Sequence, residues 1–189
     1  RAQLAALGVP GGESITRVSF FQNQFDTRTR GLDLVASYGF DLGEGAVTLT
    51  GAYNYNETEV TGEAASGVFN DVSRTVFEQG LPQHNAVLSA DYTLGRYSVN
   101  ARARYYGEWT DTDDSANVIY QDFGAEVFVD LGLHVALNEA FAVRVGAENI
   151  FDAYPDESRR QANRGLIYSR NAPYDTDGGK YYLRLEANF

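Results

Sequence analysis

The chain has 189 residues and a formal net charge of -11, from 26 acidic and 15 basic side chains, with no Cys, no Met and a single Trp. That length suits one domain, the charge excludes a phosphate backbone as partner, and the missing Cys excludes disulfide scaffolds, thiolate zinc sites and Cys nucleophiles. No apolar run approaches the roughly 20 residues of a spanning helix, which leaves open only a membrane protein built of strands, whose alternation hides its apolarity.

The opening Arg1 and the lack of Met are read as those of a mature or cut piece, with no charged-then-apolar leader expected before it. Arg1 to Val9 suits a turn or two of helix, stopped by Gly8 and Pro10. From there the period is two. A long first strand is expected from about Ile15 to Leu42, running through the polar stretch Asp26 to Arg30; a hairpin at that stretch is the alternative. Further strands follow over Val47–Tyr55, Ala86–Leu94, Tyr97–Tyr105, Val127–Leu137, Phe141–Ala147 and Tyr181–Phe189, which makes seven. Their joints alternate in length. Gly43-Glu44-Gly45, Gly95-Arg96 and Asn138-Glu139-Ala140 read as tight turns, whereas Glu57 to Gln83, Thr110 to Asp122 and Asp152 to Gly178 read as long loops. One end of the sheet is trimmed and the other elaborated, the pattern of outer-membrane barrels with short periplasmic turns and long extracellular loops.

Alternation does not say which face is wet. Two features favour lipid against the apolar face. Tyr or Phe stands near an end of that face in nearly every strand (Tyr38, Phe40, Tyr53, Tyr55, Tyr92, Tyr97, Tyr105, Phe141, Tyr181), as in an aromatic girdle. The opposite face is polar but not Lys-rich, since Lys180 is the only lysine; it mixes Asp33, Asp91, Glu126, Asp130, Glu148 and Glu186 with Arg102, Arg104, Arg144 and Arg184, which suits a wet lumen or a plug. The rival readings are a secreted carbohydrate-binding β-sandwich and a small self-contained outer-membrane porin or adhesion barrel.

Three segments carry a family resemblance. They are Asn23-Gln24-Phe25-Asp26-Thr27-Arg28-Thr29-Arg30-Gly31-Leu32-Asp33-Leu34; Ala147-Glu148-Asn149-Ile150-Phe151-Asp152-Ala153-Tyr154, an Asn-Leu-Phe-Asp signature with Ile150 for the usual Leu; and the closing Gly179 to Phe189. In content, order and spacing they resemble the C-terminal barrel portion of a TonB-dependent outer-membrane receptor. The resemblance implies an all-β, antiparallel transmembrane segment, about seven strands of a barrel of about 22, in the outer membrane of a Gram-negative bacterium. The implied activity is uptake of a scarce nutrient (siderophore, vitamin or carbohydrate) without catalysis. Residues 1–189 are then one piece of that barrel domain. The plug, the energy-coupling TonB box and the preceding strands are absent from it. The implied partners are the rest of the barrel and its plug, the TonB complex reached through the plug, outer-membrane lipid and lipopolysaccharide, and a small-molecule ligand. An odd number of strands requires the first and last to pair with other polypeptide.

No catalytic constellation is found, because His84 and His134 lie on different strands and no Ser, His and acid set shares a spacing. No cofactor or metal is expected. Asp111, Asp113 and Asp114 are read as solvated loop charge in preference to a calcium site, and His134 as a hydrogen-bonded lumen residue. The candidate ligand residues are aromatic and cationic groups of the upper loops: Trp109, Tyr120, Tyr154, Tyr168 and Tyr174 for stacking on sugars or flat chelates, and Arg159, Arg160 and Arg170 for anionic groups. Loop packing is the competing role of the tyrosines, and contact with lipopolysaccharide phosphate that of the arginines.

Overall fold

Alternation of Leu, Val and Tyr with Thr, Asn and Asp favours pleated, half-buried backbone, and long antiparallel strands result. A computed structural model describes residues 8, 10, 25–62, 70–113, 119–160 and 165–188. The elements are β1 (Thr27–Leu42), β2 (Gly45–Val60), α1 (Asp71–Gln79), β3 (His84–Leu94), β4 (Tyr97–Tyr106), β5 (Trp109–Asp113), β6 (Ile119–Phe123), β7 (Glu126–Ala136), β8 (Phe141–Glu148) and β9 (Lys180–Ala187). Seven strands make one sheet in the order β1-β2-β3-β4-β7-β8-β9, and β5 and β6 form a separate hairpin. The helical turn expected at Arg1 to Val9, the start of the first strand before Phe25, and Phe189 lie outside the described residues, apart from Gly8.

The seven expected strands are all found. The polar stretch is no hairpin, since β1 pairs with β2 without interruption from Thr27↔Val60 to Leu42↔Gly45. Both central glycines of the tight joints, Gly43 and Gly95, have positive φ (63° and 57°), the backbone that two-residue hairpin loops require. The third joint has no glycine. There the Asn138 side chain accepts from the backbone N–H groups of Ala140 and Phe141 (2.9 and 2.8 Å) and holds the turn itself. The long loops are more regular than expected. The first contains α1, capped by Asn70 Oδ1 accepting from Ser73 N, and the second is mostly the β5/β6 hairpin.

Register decides what each face meets. Tyr38, Leu49, Ala90, Ala101, Leu131, Ala147 and Tyr181 are successive cross-strand partners over all seven strands, and the adjacent row is Gly39, Thr48, Asp91, Asn100, Gly132, Gly146 and Tyr182. The apolar rows therefore merge into one continuous surface, and a slip of one residue in any pair would interrupt it. That surface has no second layer over it among the described residues. Leu34, Leu88 and Leu185 are 54%, 58% and 76% exposed, which removes the sandwich reading, in which these side chains would be its core. β1 and β9 each have a partner on one side only, so the described strands do not close on themselves and the self-contained barrel is not formed.

The polar face is cross-linked. Asp130, 5% exposed, accepts from Arg102 Nε (2.8 Å), Arg104 Nε and Nη2 (3.0 and 2.9 Å) and Asn149 N (2.9 Å), tying β4, β7 and the end of β8 together. Such a carboxylate is stable away from bulk water because each oxygen has donors. Arg144 and His134 both approach Glu186 (3.5 and 3.8 Å), and Asn54 and Asn100 donate to Asp33 and Asp91 (both 2.7 Å). Where side chains vanish, a neighbour covers the gap: a Cβ on Gly146 would lie 2.5 Å from the Tyr182 hydroxyl.

The exposed apolar face gives a depth-dependent expectation. In a full-length receptor folded in lipid bilayers, Leu88→Arg at mid-strand destabilises by about 2–4 kcal/mol, whereas Leu94→Arg beside the short turn costs about 0–1 kcal/mol. Urea titration of the two variants measures the difference, and equal costs would contradict lipid on this face.

Candidate functional site

The elaborated end of the sheet is where the chain builds a packed interior. Trp109 on β5 stacks on Phe123 on β6 (centroids 4.5 Å apart, 12° between planes), as their direct pairing across the hairpin requires. The Trp109 indole N–H donates to the Tyr174 hydroxyl at 3.2 Å, and Tyr174 packs against Tyr106 and Phe128 at 5.3 and 5.4 Å. Burial pushes the Tyr174 phenol above its ordinary pKa, with Glu126 and Asp156 adding to the rise and the Trp109 hydrogen bond opposing it.

A second tie is ionic. Asp111 pairs with Arg160 at 3.0 Å, both almost wholly buried, and accepts from Ser169 Oγ (2.6 Å) and Asn171 Nδ2 (3.0 Å). Arg160 also donates to the Thr112 carbonyl at 2.6 Å. Gln121 bonds in both directions with the loop after β8, donating to Glu157 O and accepting from Arg159 N, both at 2.8 Å. The hairpin is thus clamped to that loop. The space left beside the clamp is about 10 Å³, room for one water at most. The reading of Asp111 as solvated charge is corrected: besides the N–H of its neighbour Thr112, three donors of the loop after β8 surround it, because that loop folds over the hairpin. Asp114 lies outside the described residues.

The entry to the loop is fixed by the Asn149 to Asp152 turn, with φ of 49° and 52° at those two residues. Asn149 Oδ1 accepts from Ala153 N (3.0 Å), its Nδ2 donates to Ala153 O (2.8 Å), and Asp152 Oδ1 accepts from Gly179 N (2.8 Å). Asn and Asp tolerate this left-handed backbone better than other side chains and here close it with their own polar atoms. The hydrogen bond and negative charge of Asp152 raise the pKa of Tyr154, which keeps the phenol neutral. At the other end of the loop the Lys180 ammonium holds Asp175 below the usual carboxylate range.

The eight candidate residues therefore separate. Trp109, Arg160 and Tyr174 are inside (3%, 6% and 8% exposed), and their polar atoms serve the cap. Tyr154 and Tyr168 form a stacked pair (5.7 Å, 15°) at the surface, with Arg159, Arg170 and Tyr120 exposed on the same cap. Sequence reasoning missed a lumen-side depression of about 300 Å³ under α1, lined by Asn54, Asn56, Thr58, Asn85 and Tyr106 with Phe77, Leu81 and Pro173. Its signal was present in the even-numbered polar row Asn54, Asn56, Thr58 of β2, all facing the lumen. Phe77, Leu81 and Pro173 carry no such period.

Breaking the ionic clamp should loosen the cap without opening the sheet. Asp111→Ala removes the buried carboxylate that Arg160 pairs with, at a cost of about 3–5 kcal/mol, while the apolar pair Asp111→Leu with Arg160→Met recovers most of it. Limited proteolysis between residues 107 and 125 reads the cap separately from the barrel.

Comparison with known proteins agrees with this architecture. A family model described as "TonB dependent receptor-like, beta-barrel" matches residues 3–150. No curated protein matches the chain in sequence. A solved structure of the FpvAI–pyocin S2 complex is similar at 17% identity and a TM-score of 0.50, over 68% of this chain and 16% of that one. A structure of P. aeruginosa FpvA bound to a heterologous pyoverdine with iron gives the same identity, TM-score and coverage. At this identity the likeness is one of fold, and this chain spans about a sixth of the length of those structures. Proteins of the matching family are receptors and transporters of the Gram-negative outer membrane, not enzymes. With most of its length matched and its apolar face laid out for lipid, this chain belongs to the TonB-dependent receptor-like β-barrel family.

Proposed function

We propose that the chain is the C-terminal part of the barrel of an active-uptake receptor for a scarce nutrient: a siderophore, a vitamin or a carbohydrate. The observation that carries this reading is an amphipathic sheet of seven strands in unbroken register with an unpaired strand at each side. Further strands of a larger barrel fit those edges, because lipid offers no partner to unpaired backbone N–H and C=O groups. The lumen face bears polar and charged side chains and a small apolar patch at Val35, Ala52 and Val87, partners across β1, β2 and β3, which suits contact with a plug. Energy for transport then comes from the TonB complex through that plug, not through this chain.

The chain's own share is wall and vestibule. The clamped cap carries the stacked pair of exposed Tyr154 and half-buried Tyr168 as a stacking platform, with Arg159 and Arg170 exposed on the same cap, and the amide-rich depression adds polar groups on the lumen side. Pyoverdine bound to the similar FpvA supports a siderophore among the three ligand classes. Replacing Tyr154 and Tyr168 together by Ala in the full-length receptor weakens nutrient binding about tenfold, the effect of losing one to two aromatic contacts. Uptake stops altogether in cells without the inner-membrane energy complex. Radiolabelled uptake measures both, and transport that persists without the energy complex would overturn the active-uptake reading.

A further inference from the structure

A second depression, of about 440 Å³, lies at the same end of the sheet but on the opposite side of the wall. The two share Leu81 but otherwise draw on different faces of the sheet: Asn85 and Tyr106 line the lumen-side depression, whereas their chain neighbours His84 and Tyr105 line this one. His84 and Tyr105 belong to the apolar rows by register, His84 opposite Tyr55 and Tyr105 opposite Ala86. The depression therefore opens outward, towards the surrounding membrane.

Its height is fixed by the aromatic belt. Tyr53, Tyr55, His84 and Tyr105 cluster at the upper end of the apolar face, with the Tyr53 hydroxyl 2.7 Å from His84 Nδ1 and Tyr55 bonded to Glu57. Such belts mark the boundary between hydrocarbon and headgroups. The depression begins at this belt and extends away from the hydrocarbon, between the end of α1 and the base of the β5/β6 hairpin. Beside His84 and Tyr105 its polar lining is Gln79, Gln83, Glu108, Thr110 and Asp122, and no Lys or Arg among the described residues lines it. Two carboxylates without a lining cation disfavour phosphate. Amides and carboxylates together accept from and donate to vicinal hydroxyls, and aromatic rings offer an apolar face to the C–H side of a pyranose.

We propose that this outward depression seats a neutral sugar of the glycolipid that forms the outer leaflet. It goes beyond nutrient uptake, depends on neither plug nor nutrient, and rests only on the orientation of the wall. It also assigns lipid recognition to amides and acids at the rim of the belt, in place of the arginines of the upper cap.

The test uses the full-length receptor in detergent and two probes, a glycolipid with a complete core oligosaccharide and the same glycolipid truncated to its phosphorylated lipid anchor. Native mass spectrometry should show the complete form bound about tenfold more tightly, a preference lost in the double variant Gln83→Ala with Glu108→Ala. Nutrient binding by that variant should be unchanged, which separates this proposal from the uptake reading. Equal binding of the two glycolipids by the parent receptor, or a preference that survives the double variant, overturns the proposal. So does full displacement by lipid-free core oligosaccharide at equal concentration, since the occupant would then be a soluble glycan.

Discussion

A strand crossing hydrocarbon has to bond its backbone to neighbouring strands and present lipid with apolar side chains on one face only. The whole wall obeys that pair of demands. Seven strands keep a common parity from Tyr38 on β1 to Tyr181 on β9, so the apolar surface is continuous although no single strand is strongly hydrophobic. The same parity sends Asp33, Asp91, Asp130, Arg102, Arg144 and Glu186 to the other side. There Arg102 pairs with Asp130 and Arg144 with Glu186, Asp33 and Asp91 accept from Asn54 and Asn100, and these cross-strand bonds add specificity of register to the backbone ladder.

Two buried carboxylates divide the remaining work. Asp130 gathers Arg102, Arg104 and the backbone N–H of Asn149, so it joins the wall to the start of the last long loop. Asp111 gathers Arg160, Ser169 and Asn171, so it joins the end of that loop to the hairpin. An ionised carboxylate away from water needs such donors, and each one lost raises the cost of keeping the charge buried. The cap is consequently a rigid extension of the sheet. This bears on the proposed ligand platform, because Tyr154 and Tyr168 would contribute to binding in proportion to how little they must be ordered when ligand arrives.

The separation of the candidate residues has the same origin. Trp109, Tyr174 and Arg160 have the residue types of a ligand site and lie in long loops, yet they are interior because their partners are distant in sequence. Trp109 meets Tyr174 across 65 positions and Asp111 meets Asn171 across 60. No local pattern reports such pairings. Tyr154, by contrast, stands directly after a turn whose Asn149 and Asp152 are recognisable in the chain, and its outward position follows from that turn.

The seven strands of the wall, the division of their residues between two faces, the tight turns and the family were readable from the amino-acid order, since each rests on period two, on glycine or asparagine at a turn, or on a short contiguous motif. The fold of the second loop into a hairpin, the burial of Asp111 with Arg160, and the two depressions on opposite faces of the wall appeared only in three dimensions. Alternation is a property of neighbours in the chain, whereas packing of a loop is decided by which distant segments can satisfy its buried polar groups.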